Sequence, residues 1–398
     1  MSGTFGPLAR HTFVSAQGRH LNLYGEVRGR PPGAVDVPHG AVDLPPVEPA
    51  ALHRRLDLLT GAWVAVSPAR NVRPYSHVDS HVDDRAPGDD PGCPLCPGGV
   101  EIPFGYDAAV FDNRFPTFVP DPPPVTGATR VARSVGRCEV VVYTDRHEGS
   151  LSTLAPLELA RLLAVWRDRS AELWSDPCHR FVLIFENRGE AVGATLSHPH
   201  GQIYAFDHLP PFIAGRTAAM TRYRNEQGAC LSCDLIASDE MSERVVGPGG
   251  SFVIAQPFAP RWPYEVHVRG RRHDLRRLAD LRVDEQRDLA SALRDVTVRY
   301  DALFGFALPY MMTIMEAPDG VDDWHLAVEF LPPHRNAHLT KVRASVETAT
   351  GLFINDTLPE ETARLLASIH VAARTEAPSL KAVPVEAYPA TARSAPSS

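Results

Sequence analysis

His198-Pro199-His200-Gly201-Gln202-Ile203-Tyr204 decides the reading of this chain, because a second stretch, His325-Leu326-Ala327-Val328-Glu329, occupies the same place in a repeat of the surrounding pattern. Before the first stretch come a CxxC pair at Cys93 and Cys96, Glu139 in a β-patterned run, and His147. Before the second come Cys230 and Cys233, Glu265, and His273. Eight residues separate Glu139 from His147 and Glu265 from His273, while 51 separate His147 from His198 and 52 separate His273 from His325. Each of the two earlier histidines is followed by a helical pattern. Leu159, Leu162, Leu163 and Trp166 recur at i, i+3, i+4 and i+7, and Leu289, Leu293, Val296 and Tyr300 do so roughly. Independent loops rarely match so closely, so two fused copies of one α+β unit are expected.

The repeated residues are metal-ligand types. Zinc takes four ligands in a tetrahedron, commonly two Cys and two His. Cys93, Cys96, His147 and His198 form one such set, and Cys230, Cys233, His273 and His325 a second. A lone histidine is more often a hydrogen-bonded core residue than a ligand, but the repeated spacing favours ligation. With four protein ligands each site is closed, so the zinc is structural. The first CxxC lies in a Pro/Gly-rich loop rather than at the strand-to-helix junction of a redox pair.

If the stretch from 198 is extended, His198, His200 and Gln202 share one face. That face offers a ligand, an imidazole and an amide. An imidazole can attack phosphorus and form a covalent intermediate. It needs the neutral tautomer, with the other nitrogen held by an acceptor, and a backbone carbonyl near His198 could be that acceptor. Gln202 can donate to a phosphoryl oxygen, and Gly201 is read as leaving room for a phosphate. Ala327 stands in the second copy where His200 stands in the first, and Glu329 where Gln202 stands. One active centre is therefore expected, in the first half. A nucleoside monophosphate carried on His200 is the reading that follows.

The 398 residues carry a formal net charge of −8, which makes no global case for nucleic acid. Met1 to His20 has no apolar core of signal-peptide length, and no apolar run approaches the roughly 18 residues of a membrane span. A cytoplasmic protein without a membrane partner is expected. Residues 1–54 read as a partly ordered arm, 55–210 as the first, catalytic unit, 211–376 as the second, degenerate unit, and 377–398 as a disordered tail rich in Ala, Pro and Ser.

With its preceding Phe185-Glu186-Asn187-Arg188-Gly189, the His198–Gln202 strand resembles the galactose-1-phosphate uridylyltransferases of the histidine-triad superfamily. Ser67-Pro68-Ala69-Arg70-Asn71-Val72-Arg73-Pro74, Cys93-Pro94-Leu95-Cys96-Pro97, Val110-Phe111-Asp112-Asn113-Arg114-Phe115-Pro116, Trp262-Pro263-Tyr264-Glu265-Val266-His267 and Phe353-Ile354-Asn355-Asp356 match too, from about residue 55 to 372. The resemblance implies an α+β fold of duplicated histidine-triad-like units, antiparallel half-barrel sheets with flanking helices. It implies ping-pong transfer of UMP from UDP-glucose to galactose 1-phosphate. His200 matches the family's nucleophile and Gln202 its phosphate-stabilising partner. Arg70 and Arg73 match phosphate-clamping arginines that in the family reach the neighbouring subunit's site. Asn113, Asn187 and Thr195 match nucleotide- and phosphate-contacting positions. Lys341 and Glu347 match a segment from the partner chain, so a homodimer is implied.

Some members carry an iron site; Arg216, Met315, Ala327 and Glu329 fall at those places, so no iron is expected. Arg114 replaces an acidic residue found near the uridine in some members. The second CxxC resembles a subgroup that includes ADP-glucose phosphorylases, which typically have Ser where this chain has Gly201. The alternatives are a nucleoside-diphosphosugar phosphorylase, a uridylyltransferase for another sugar 1-phosphate, or an inactive nucleotide-binding protein.

Overall fold

Short apolar runs bounded by turn residues make strands, and in the computed structural model most of them join one sheet. The structure describes residues 8–14, 18–29, 52–68, 70, 92–125, 130–371 and 385–388. The first-half strands are β1 (Leu8–Val14), β2 (His20–Tyr24), β3 (His53–Leu56), β4 (Trp63–Val66), β5 (Ala108–Asp112), β6 (Val131–Arg133), β7 (Gly136–Val142), β8 (Phe181–Arg188) and β9 (His200–Phe206). The later ones are β10 (Val245–Gly247), β11 (Phe252–Ala255), β12 (Val266–Gly270), β13 (Tyr310–Met315), β14 (Ala327–Leu331), β15 (His334–Asn336), β16 (Leu339–Thr340) and β17 (Val385–Tyr388). The helices are α1 (Pro156–Trp174), α2 (Pro211–Gln227), α3 (Leu231–Glu240), α4 (Val283–Leu303), α5 (Ser345–Thr350) and α6 (Pro359–Ser368).

Twelve strands form one sheet in the order β10-β11-β12-β14-β13-β8-β9-β7-β5-β2-β1-β17. Within it, β5-β7-β9-β8 mirrors β11-β12-β14-β13. The two sets meet where β8 pairs antiparallel with β13, Ile184 opposite Ile314. This is the expected α+β architecture of antiparallel strands with flanking helices. The β1–β17 pairing is parallel.

The two helices expected from periodicity are α1 and α4. Leu159, Leu162, Leu163 and Trp166 of α1 and Leu289, Leu293, Val296 and Tyr300 of α4 are all buried, in one cluster with the inward faces of the strands. Each fully buried leucine contributes roughly 1.5–3 kcal/mol. Pro156 starts α1 where its missing N–H costs nothing. Glu158 closes that turn by accepting from the Ala155 N–H at 2.7 Å. A buried ion pair fixes α1 to β7: Arg169 donates to the two oxygens of Glu139 at 3.0 and 2.7 Å. Because β7 pairs with β9, this contact also sets the height of the His200 strand over the helix.

The termini are more ordered than composition alone indicates. The stretch read as a partly ordered arm supplies β1 and β2 to the main sheet; Tyr24 is fully buried, and Arg10 bridges Asp168 and Glu172 of α1 at 2.8 and 2.7 Å. Hydrophobic pairing with β5, not local periodicity, orders it. Part of the tail read as disordered, Val385–Tyr388, forms β17 against β1, which offers it an open edge. Among the described residues no helix is long and apolar enough to cross a membrane.

Candidate active site

Strand β9 begins at His200, so His198 and Pro199 form its entry rather than its first residues. Alternation turns Ile203 and Ala205 into the core under α1 and leaves His200, Gln202 and Tyr204 on the other face. The His200 Nδ1 lies 2.8 Å from the His198 carbonyl oxygen. A carbonyl only accepts, so Nδ1 carries the hydrogen and Nε2 the lone pair in the neutral ring. Gln202 Oε1 accepts from Asn113 Nδ2 at 3.1 Å, which leaves the Gln202 amide NH2 as a donor. Gly201 has a different role from the one expected. A Cβ there would lie 2.4 Å from the Tyr143 hydroxyl and 2.8 Å from the Phe185 carbonyl, on the core side, so packing and not phosphate access excludes a side chain.

His200 and Gln202 line two adjoining cavities together with Asn187 and Thr195. The larger, about 680 Å³, has an apolar wall of Leu95, Val100, Phe111, Phe115 and Val140. The smaller, about 240 Å³, is lined by Arg70, Thr117 and Tyr204. Arg70 Nη1 donates to the Tyr204 hydroxyl at 3.0 Å and to Thr117 Oγ1 at 3.2 Å. Thus Arg70 stands beside its own chain's His200, in contrast to the reach toward a neighbouring subunit that the resemblance implied. Arg73 lies outside the described residues.

Sequence reasoning missed Glu186. It is buried beside the larger cavity, and accepts from the Tyr143 and Tyr310 hydroxyls at 3.2 Å each. Burial pushes its carboxyl up to about 7, against the pull of Arg188 and the two hydroxyls. Its signal was its place in the Phe185-Glu186-Asn187 stretch.

The Cys/His residues come together as expected. The ligand atoms of Cys93, Cys96, His147 and His198 lie within 4.8 Å of one another, as do those of Cys230, Cys233, His273 and His325. The Cys93 and Cys96 sulfurs are 3.8 and 3.5 Å from His198 Nδ1, and His147 Nδ1 is 3.4 Å from Cys96. Sulfur and nitrogen on one tetrahedral zinc stand roughly 3.5 Å apart, so the donor set fits such an ion. The other nitrogen of His198, Nε2, bonds the Thr144 carbonyl at 2.8 Å, and burial holds its ring neutral, with a pKa of about 4. In the second cluster the ring is reversed: His325 Nε2 faces Cys230 and Cys233 at 3.7 and 3.4 Å, and Nδ1 bonds the Gly270 carbonyl at 2.8 Å.

Comparison with known proteins adds a family to this geometry. Residues 45–210 match the galactose-1-phosphate uridyl transferase N-terminal domain, and residues 216–374 the C-terminal domain of the same family. The chain belongs to the galactose-1-phosphate uridylyltransferase family. That is a family of nucleotidyltransferase enzymes. The chain is 40% identical over 325 residues to the galactose-1-phosphate uridylyltransferase of Thermotoga maritima, covering 80% of this chain and 98% of the relative. It is 30% identical over 342 residues to that of Haemophilus influenzae, covering 81% and 97%. A solved uridylyltransferase structure superposes with a TM-score of 0.69 at 28% identity, over 79% of this chain and 97% of the other. An Arabidopsis thaliana ADP-glucose phosphorylase superposes at 0.61 and 24% identity, over 80% and 99%, which shows the shared fold alone.

The second unit of this uridylyltransferase-family chain departs from the first at the places of His200 and Gln202. Ala327 and Met315 sit in an apolar cluster with Trp324 and Phe206. Glu329 is buried and accepts from Arg216 at 2.6 Å and from Arg261 at 3.3 Å. Burial alone would raise its carboxyl, but Arg216, His267 and Arg261 outweigh it and hold it at about 2. Lys341 and Glu347 line neither His200 cavity. Lys341 Nζ pairs with Glu347 at 2.8 Å and donates to the Arg261 and Ile354 carbonyls at 2.6 Å each.

Proposed function

We propose that this chain transfers UMP between UDP-glucose and a hexose 1-phosphate, galactose 1-phosphate by its family, through a covalent uridylyl group on His200. The observation that carries the reading is the His200 Nδ1 contact to the His198 carbonyl at 2.8 Å, beside cavities that share Gln202, Asn187 and Thr195. The Nε2 lone pair attacks the α-phosphorus. The Nε2–P bond forms, and the bond from phosphorus to the bridging oxygen breaks, with its electron pair leaving on glucose 1-phosphate. The positive charge that builds on the ring is stabilised by the His198 carbonyl. The Gln202 amide NH2 donates to a phosphoryl oxygen. Hexose 1-phosphate then attacks the same phosphorus and the steps reverse.

Zinc is the metal that suits two thiolates and two imidazoles, and in this reading it is structural at both clusters. The iron positions are unsuited to that metal, since Arg216 brings a positive charge to Glu329 and Met315 and Ala327 are apolar. Lys341 and Glu347 lie away from the His200 cavities, which supports a homodimer in which they serve the partner's site. We place the enzyme in the cytoplasm, a reducing compartment that keeps the thiols of the two CxxC pairs available as metal ligands. The test is acceptor competition on the loaded enzyme. Galactose 1-phosphate should discharge it to UDP-galactose. Discharge by inorganic phosphate instead would make the chain a phosphorylase, and tight UDP-glucose binding without turnover would make it an inactive binding protein.

A further inference from the structure

Among the carboxylates that line the larger cavity, Glu101 is held by two guanidinium groups. Glu101 follows Val100 of the apolar wall, and its side chain is only 10% exposed. One of its oxygens accepts from Arg114 Nη2 at 2.9 Å, and the other from Arg19 Nη2 at 3.0 Å. Arg19 is itself anchored on the Asp112 carbonyl at 2.7 Å. Two guanidinium groups thus fix the carboxylate in a largely buried place, and each oxygen keeps acceptor capacity for a further donor. Its position follows from the chain. Arg114 succeeds Asn113, whose amide holds the phosphate-facing Gln202. Along the lining of the larger cavity, Arg114 stands in the chain between Asn113 and the apolar Phe115, and Glu101 follows the apolar Val100. A planar base suits the apolar wall, while the polar smaller cavity with Arg70 suits the departing sugar phosphate. A group between base and α-phosphate meets the ribose. A fixed carboxylate facing a ribose is the usual acceptor for its hydroxyls.

We propose that Glu101, braced by Arg114 and Arg19, is a specificity-determining residue that accepts hydrogen bonds from the ribose hydroxyls of the bound nucleotide. The inference rests on the uridylyltransferase reading for which end of the cavity takes the nucleoside. It needs no turnover to be tested. Calorimetric titration of the full-length, metal-replete protein with UDP and with 2′-deoxy-UDP gives the ratio of affinities. The parent protein should prefer UDP by roughly tenfold or more, the size expected for a lost hydrogen bond to a charged group. Glu101→Gln should bring that ratio down at least fivefold, with metal content and thermal midpoint unchanged. Equal affinity of the parent for the two nucleotides would overturn the proposal, whether or not any variant folds. So would a Glu101→Gln ratio equal to the parent's. A loss of UDP binding in Glu101→Gln that leaves the ratio at the parent value would assign the residue to the base or to packing, and would count against the ribose contact. Failure of His200 to become modified by UDP-glucose is a separate outcome, and it would strike the transfer reaction without touching this ratio.

Discussion

The strand ending at Phe206 and the strand ending at Leu331 occupy mirrored places in one sheet, and each follows a histidine held against a CxxC pair. In the first, the residue two beyond that histidine is His200, open to two cavities. In the second it is Ala327, packed in apolar side chains, and the next outward-facing position is Glu329, closed by two arginines. The Cys/His cluster is thus kept in both halves, while the histidine proposed as nucleophile is present in one. The comparison separates two jobs that the first strand combines: fixing the strand's entry, and doing chemistry two residues later.

His200→Ala has the largest expected effect. Glucose 1-phosphate release should fall by about 10⁴-fold or more, with metal content and circular dichroism unchanged. Next come the clusters. Cys93→Ser and Cys233→Ser should each lose one metal equivalent by elemental analysis and lower the thermal midpoint. Only Cys93→Ser should also slow transfer by more than about tenfold, because His198 presents the carbonyl that holds His200. Equal rate losses in both would mean that the second half shares in the chemistry.

Glu329→Gln removes the carboxylate from Arg216 and leaves Arg261 with Glu265, and should cost about 3 kcal/mol in urea unfolding while the rate holds. The sign with pH follows from its depressed carboxyl. Its stabilising contribution is full above the ordinary value of 4.5 and is lost as pH falls toward about 2. The variant should therefore converge on the parent in acid. Glu186 behaves the other way and is the smallest effect. Its folded carboxyl is raised to about 7, so ionising it destabilises the fold progressively as pH rises from 4.5 through 7. Glu186→Gln should match the parent's melting temperature near pH 4.5 and exceed it by a few degrees at pH 8.

Much of this was legible in the residues. The spacing of Cys, Glu and His exposed the duplication, and period-3.6 leucines exposed α1 and α4. Helix α2 was not legible, because it buries only Ile213 and Met220 and carries no apolar stripe. β1, β2 and β17 were missed because their order comes from pairing with distant strands. At the site, His200 and its carbonyl acceptor could be read from alternation along one strand. The Tyr143–Glu186–Tyr310 contact could not, since it joins residues far apart in the chain, and neither could the Glu101–Arg114 pair, which depends on how the loop and strand between them fold back. Gly201 was misread because a glycine does not say which face of the strand is crowded.

In the proposed reaction His200 carries the nucleotide. Intact mass after mixing the purified chain with UDP-glucose alone tests it most directly. One UMP gained per chain and one equivalent of glucose 1-phosphate released are expected, and neither in His200→Ala. An adduct of equal yield in His200→Ala, or glucose 1-phosphate release with no adduct in the parent, would contradict it.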